Sequence, residues 1–214
     1  MFAYCNNNPI FYVDNTGTSL STIFATCYSY DGYSHTYGIG EGQAITVTRN
    51  NNSIYIEAYM TFSGEVDPEF LVQGIKNYWE GTYSYGNETV NVYVNIYYGE
   101  SINGNTITVQ TYSSHGRSYC TINVFRWKKT KESTITLYED YYRYVAGDWS
   151  IAHEFGHCLG VYDYYVYDYL PGFDHSFQSI MNIPGVHACD SDLLKVLFAF
   201  TGNSYERWYC EGGL

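Results

Sequence analysis

The stretch from His153 to Asp163, His-Glu-Phe-Gly-His-Cys-Leu-Gly-Val-Tyr-Asp, constrains the fold of this chain more than any other. Two imidazoles four positions apart reach a common point only when the backbone between them is helical, so His153 and His157 predict a helix with both rings on one face. Glu154 lies beside them, near enough to polarise a water molecule at a bound ion without itself being a ligand. Gly160 can end the helix in a left-handed conformation, and the returning chain then offers Asp163 as a third ligand. Two imidazoles and one carboxylate leave a coordination position open, which is the arrangement of a catalytic zinc. His175, in Asp174-His175-Ser176, is a rival for the third position; the spacing of Asp163 fits the returning chain better.

The rest of the chain has room for such a site. Its 214 residues, 45% of them hydrophobic, favour one globular domain with a substantial core. No apolar run approaches the ~20 residues of a membrane-spanning helix. A net charge of −12 repels phosphate backbones and anionic lipid surfaces, so nucleic acid and membrane are not expected as partners. The 27 tyrosines against only 15% charged residues fit half-buried positions on strands. Six cysteines (Cys5, Cys27, Cys120, Cys158, Cys189 and Cys210) are compatible with disulfides and an extracellular, secreted setting, although no signal peptide is visible. No Cys-x-x-Cys occurs, which argues against a second, structural zinc. Cys158 is placed on the side of Phe155 and Leu159, away from the histidines.

Periodicity orders the elements. Residues 1–50 form an N-terminal extension of unassigned role, loop-rich by its turn formers and ending in a strand from Ile45 to Arg49. Residues 51–214 form the main domain. Ile54, Ile56, Ala58, Met60 and Phe62 alternate with Tyr55, Glu57, Tyr59 and Thr61, a half-buried strand. Asp67-Pro68 opens a helix with Asp as cap, a stripe of Phe70, Leu71, Gly74, Ile75 and Tyr78 or Trp79, and Gly81 as terminator. Strands follow over Thr89–Tyr98 and, after an Asn103-Gly104 hairpin signal, Thr106–Tyr112; Thr121–Lys128 and Ser133–Tyr138 complete the set. The histidine helix is capped by Asp148 and buries Ile151, Phe155, Cys158 and Leu159. A tyrosine-rich loop spans 162–177. A last helix starts near Asp190 or Ser191, buries Leu193, Leu194, Leu197 and Phe198, and stops at Gly202. His35, His115 and His187 lack a partner at ligand spacing.

His153-Glu154-x-x-His157-x-x-Gly160-x-x-Asp163 resembles the long zinc-binding consensus of the metzincin metalloproteases, with the final His replaced by Asp as in the small snapalysin-type members. Ser179-Ile180-Met181-Asn182 resembles the Met-turn of that family, whose methionine is an apolar floor beneath the zinc. The resemblance covers about 150 residues by these signatures. It implies an α+β fold: a twisted mixed sheet of about five strands, a first helix, a zinc-binding active-site helix, a Met-turn and a C-terminal helix. It further implies a zinc endopeptidase, with His153, His157 and Asp163 holding one Zn2+, Glu154 as general base and Met181 as the floor. A protein or peptide substrate is expected in extended form along an edge strand, best matched by Thr121–Lys128, with its pocket lined by 164–177 and 181–187. A monomer is expected. One departure stands out: Ile183 occupies the position where some members carry a tyrosine, so an assisting tyrosine must come from elsewhere, such as 162–169. Calcium is conceivable, but no Asp-x-Asp-x-Asp-Gly loop supports it. Two other readings stay open, a non-catalytic zinc-containing adhesin or binding module with an aromatic surface, and a β-rich structural protein without metal.

Overall fold

The computed structural model describes residues 25–28, 34–37, 44–50, 52–85, 88–102, 104–124, 131–139, 147–161, 163 and 178–200. A two-stranded antiparallel pair comes first, β1 (Ala25–Tyr28) and β2 (Ser34–Tyr37). Both strands fall where turn formers led the sequence to read loop; of those turn formers only Gly32 lies between the two strands in sequence.

A seven-stranded mixed sheet organises the remainder. Its strands are β3 (Ile45–Asn50), β4 (Ser53–Ser63), β5 (Gly81–Tyr85), β6 (Glu88–Tyr98), β7 (Ile107–Tyr112), β8 (Tyr119–Val124) and β9 (Lys131–Tyr138). Their order is β5-β6-β4-β7-β9-β8, with β3 also on β4. β4 is the hub. β6 runs parallel to it over residues 53–60, while its other edge takes β3 antiparallel at 53–58 and then β7 parallel at 60–63. The β3–β4 hairpin therefore straddles position 50. Seven strands exceed the expected five because β3 belongs to the sheet and because β5 was not anticipated.

Two further expectations fail here. The turn around Gly104 exists, with φ +74° and its N–H donating to Ser101 O at 2.8 Å, but it is not a hairpin. β6 and β7 flank β4 on opposite edges, so the segment between them is a crossover. Asn103 lies outside the described residues, as do 125–130 of the expected strand 121–128. Gly81 is not a helix terminator either: it opens β5, and the first helix closes at an extended Glu80 whose N–H reaches Lys76 O.

That helix, α1 (Pro68–Trp79), starts as expected, with the Asp67 carboxylate accepting from Glu69 N at 3.0 Å. It buries Leu71, Val72, Gly74, Ile75 and Trp79, whereas Phe70 is 44% exposed and off the stripe. α2 (Gly147–Cys158) packs on α1 and against β8 and β9; α3 (Asp190–Phe200) packs on β5. Asp148 is not the cap of α2. It sits in the first turn and its carboxylate faces α1, taking hydrogen bonds from Asn77 Nδ2 at 3.3 Å and Tyr78 OH at 3.5 Å.

The core joins the helices to one sheet face. Ile54, Ile56, Ala58 and Met60 on β4, Val90, Val92 and Val94 on β6, Val109 on β7 and Ile135 on β9 pack with Ile75, Trp79, Ile151, Phe155 and Leu197. On the opposite face the register sets Tyr55 against Tyr93 and Tyr59 against Tyr97, and the rings pair at 5.3 and 5.2 Å. Such cross-strand aromatic pairs account for part of the tyrosine content. No helix among the described residues is long and apolar enough to cross a membrane.

Candidate metal centre

α2 is buried along nearly its whole length because α1, β8 and β9 enclose it. Trp79 reaches across from α1 and donates its indole N–H to Ala152 O at 2.8 Å. The close approach depends on two glycines. A Cβ at Gly74 would lie 2.7 Å from Asp148 O, and one at Gly156 would lie 2.5 Å from Met181 Sδ and 3.1 Å from Trp79 Cζ2.

The end of α2 sets the third ligand. Gly160 has φ +87°, its N–H donates to His157 O at 2.9 Å, and Val161 N–H reaches Gly156 O at 3.0 Å. These two bonds are the Schellman closure, which needs a residue free to adopt the left-handed region. The chain reverses there and brings Asp163 back beside the two rings.

The three side chains converge. Asp163 Oδ1 lies 3.0 Å from His153 Nε2 and 3.4 Å from His157 Nε2. Each ring is fixed from behind: His153 Nδ1 contacts Ile180 O at 2.9 Å and His157 Nδ1 contacts Val161 O at 2.8 Å. A carbonyl only accepts, so each Nδ1 carries hydrogen and each Nε2 turns its ligating side inward. One ligand atom from each of His153, His157 and Asp163 lies within 4.8 Å of the others, and the group could hold a metal ion. The Asp–His separations bracket the ~3.3 Å edge of a tetrahedron with ligands about 2.0–2.1 Å from its centre.

The electrostatics of the cluster favour positive charge at its centre. Burial opposes charge on His157, but the hydrogen bond and charge of Asp163, followed by the charge of Glu154, outweigh it and raise the imidazole to about 9. Burial likewise opposes ionisation of Asp163, yet hydrogen bonds from His153 and His157 hold its carboxyl well below the ordinary range. Glu154 differs. Burial, its largest influence, pushes its carboxyl up despite the two histidines. Its Oε2 is buried, 4.0 Å from His157 Nε2, and no hydrogen bond among the described residues satisfies it. A buried carboxylate oxygen left without a bond is costly, so it marks a place where a further polar group belongs.

Ser179-Ile180-Met181-Asn182 forms a turn. Asn182 and Ile183 N–H both reach Ser179 O, at 3.1 and 3.0 Å. Met181 is fully buried against Gly156, the residue just before His157. A clamp that sequence reading missed holds this turn: Ser179 Oγ donates to Asp192 on α3 at 2.8 Å and accepts from Met181 N at 3.0 Å. Asp192 also accepts from Cys189 N at 2.9 Å. The carbonyls of Ile180 and Val161 and the Trp149 ring, 4.7 Å from His153, were missed as well. Main-chain acceptors leave no mark in residue identity, whereas the Ser-x-Met…Asp pattern was at least visible.

His187 does not reach the site; it is exposed and pairs with the Tyr78 ring at 4.8 Å. His175, the tyrosines of 162 and 164–169 and the pocket segment 164–177 lie outside the described residues. Compared with known proteins, the chain matches no family model, no curated protein and no solved structure.

Proposed function

We propose that this chain is a zinc-dependent endopeptidase of the metzincin type, with His153, His157 and Asp163 as ligands and Glu154 as general base. The observation that carries the reading is the pairing of two features in one buried place. Three ligand atoms converge there, and beside them lies a buried carboxylate oxygen that no hydrogen bond among the described residues satisfies. A structural site with four closed ligands would give Glu154 no task; three ligands and an adjacent base fit hydrolysis. The donor set of two imidazoles and one carboxylate suits zinc.

Zinc held there would acidify water and polarise the scissile carbonyl. Glu154 takes the proton released as water adds to the carbonyl carbon and returns it to the leaving amine, so one carboxyl serves as base and then acid. Its raised pKa suits both tasks, since a more basic carboxylate accepts more readily and its acid still donates. Ile180 O and Val161 O hold the imidazoles in one orientation throughout. Met181 and Trp79 back the helix and exclude water from below.

For the substrate we assign β8. It ends the sheet, pairs antiparallel with β9 and packs on α2, so an extended peptide can add to its outer edge.

The test compares wild type with Glu154→Gln on an unstructured protein substrate, with zinc content measured on both. Wild type cleaves internal peptide bonds. The variant keeps one zinc per chain and loses about 10²–10⁴-fold in kcat/KM. Zinc in both proteins with cleavage in neither would make the site structural and the chain a binding module.

A further inference from the structure

We infer that Cys120 and Cys158 form a disulfide that staples the edge strand β8 to the last turn of the histidine helix α2. Their sulfurs already face each other at 3.4 Å, across 38 positions of sequence. Each lies on a regular element that fixes its direction. Cys120 pairs in register with the fully buried Ile135, which puts its side chain on the helix side of the sheet. Cys158 directly follows His157 and stands at the end of α2, where that helix packs against β8.

Closing the pair needs the sulfurs to move from 3.4 Å to about 2.05 Å, within reach of small side-chain rotations. Both residues are partly exposed to solvent. Cys189, another free thiol, is engaged elsewhere, beside Asp192 on α3.

The oxidant is an external disulfide of the glutathione class. One of the two cysteines, as thiolate, attacks it, forming a mixed disulfide and releasing one small thiol. The other cysteine attacks the protein sulfur of that mixed bond and releases the second. Two protein thiols lose two hydrogens and two electrons in all, and one external disulfide becomes two thiols. Oxidising compartments supply such a partner, which agrees with the secreted setting expected from the cysteine count.

The bond itself does not depend on the peptidase reading. Its consequence for substrate does: the strand assigned to the peptide would be held at a fixed height over the helix that carries both histidines.

The experiment uses the full chain. Protein treated with oxidised glutathione is alkylated in denaturant, digested without reductant and analysed by mass spectrometry. A peptide pair joining Cys120 to Cys158, lighter by two hydrogens than the separate thiol peptides and released by dithiothreitol, is the expected result. Oxidised protein should also melt about 10 °C above reduced protein, because a cross-link over so long a loop restricts the unfolded chain. Cys120→Ser and Cys158→Ser each abolish that difference. Alkyl groups on both cysteines after oxidation, or a bond from either to another cysteine, overturns the inference; so does a melting difference that persists in Cys120→Ser. If the variants do not fold, the peptide map of the wild type decides alone. Because the map reads no activity, failure of this bond and failure of the peptidase assignment are separate results.

Discussion

At the scale of single residues, the pair His157–Asp163 determines how the site meets protons and cations. Asp163 keeps its negative charge across ordinary pH, and its proximity raises His157 to about 9, well above an ordinary imidazole. A metal ligand must be deprotonated, so below pH 9 metal uptake has to expel a proton from this imidazole. The sign follows directly: apparent zinc affinity rises with pH, by up to about tenfold per unit, and levels off once pH passes the folded pKa. Chelator competition at pH 7 and 8 checks this on the wild type. Asp163→Asn removes the charge that raises His157, so the imidazole returns toward its ordinary value and the slope between pH 7 and 8 flattens, on top of weaker binding overall. An equal slope in both proteins would exclude His157 as the group that exchanges its proton for the ion.

At the scale of elements, the site depends on how closely two helices approach. Gly74 on α1 leaves room for α2, since a Cβ there would meet Asp148 O at 2.7 Å, Asp148 Cβ at 2.8 Å and Ile151 Cγ2 at 3.0 Å. Two opposing effects follow from Gly74→Ala. Alanine favours the helix by about 1 kcal/mol, while overpacking against backbone costs about 1–3 kcal/mol. The two nearest atoms, Asp148 O and Cβ, are fixed by the backbone and cannot rotate away, so the clash wins and the variant is the less stable one in urea. Equal or greater stability would mean that the helices separate freely. Such packing also explains what the sequence disclosed. The α2 helix, its Gly160 exit, the Asp67 cap and the β4 and β6 alternations were legible because each is a local pattern with a local cause. β5 was missed because Gly81 after a helix reads as a terminator, although Tyr83 and Tyr85 ahead of Gly86-Asn87 carried a strand signal. The crossover from β6 to β7 was read as a hairpin because a turn dipeptide says nothing about which strand lies between. Asp148 looked like a cap because its type suits one; only the neighbouring α1 drew its carboxylate to Asn77 and Tyr78. Phe70 was placed on the buried stripe because apolar character alone does not fix which side of a helix faces the sheet.

At the scale of the whole molecule, the question is whether a metal held by His153, His157 and Asp163 would make the fold or only complete it. The three candidate ligands bring α2 together with the segment returning at Asp163, and Ile180 O links that unit to the turn beneath it. The sheet and α1 have their own support: Ile54, Ile56, Met60, Ile75, Val94, Val109 and Ile135 are fully buried. Classical zinc-dependent minidomains unfold without their ion because they lack such a core. Here the core is far larger than the site, so metal removal should loosen one corner and leave the chain folded at 25 °C. The size of the effect follows from mass action. Zinc at about 100 times its Kd stabilises the folded chain by about 2.7 kcal/mol, which for a chain of this length is a rise of roughly 5–10 °C in melting temperature. Melting followed by circular dichroism, with zinc and with excess EDTA, measures it. The chelated protein keeps its secondary structure and a cooperative transition at the lower temperature, and restoring zinc restores the higher one. Complete unfolding on chelation at 25 °C would show instead that the ion carries the fold, because the buried β4–β6–α1 core would then be too weak to stand without it.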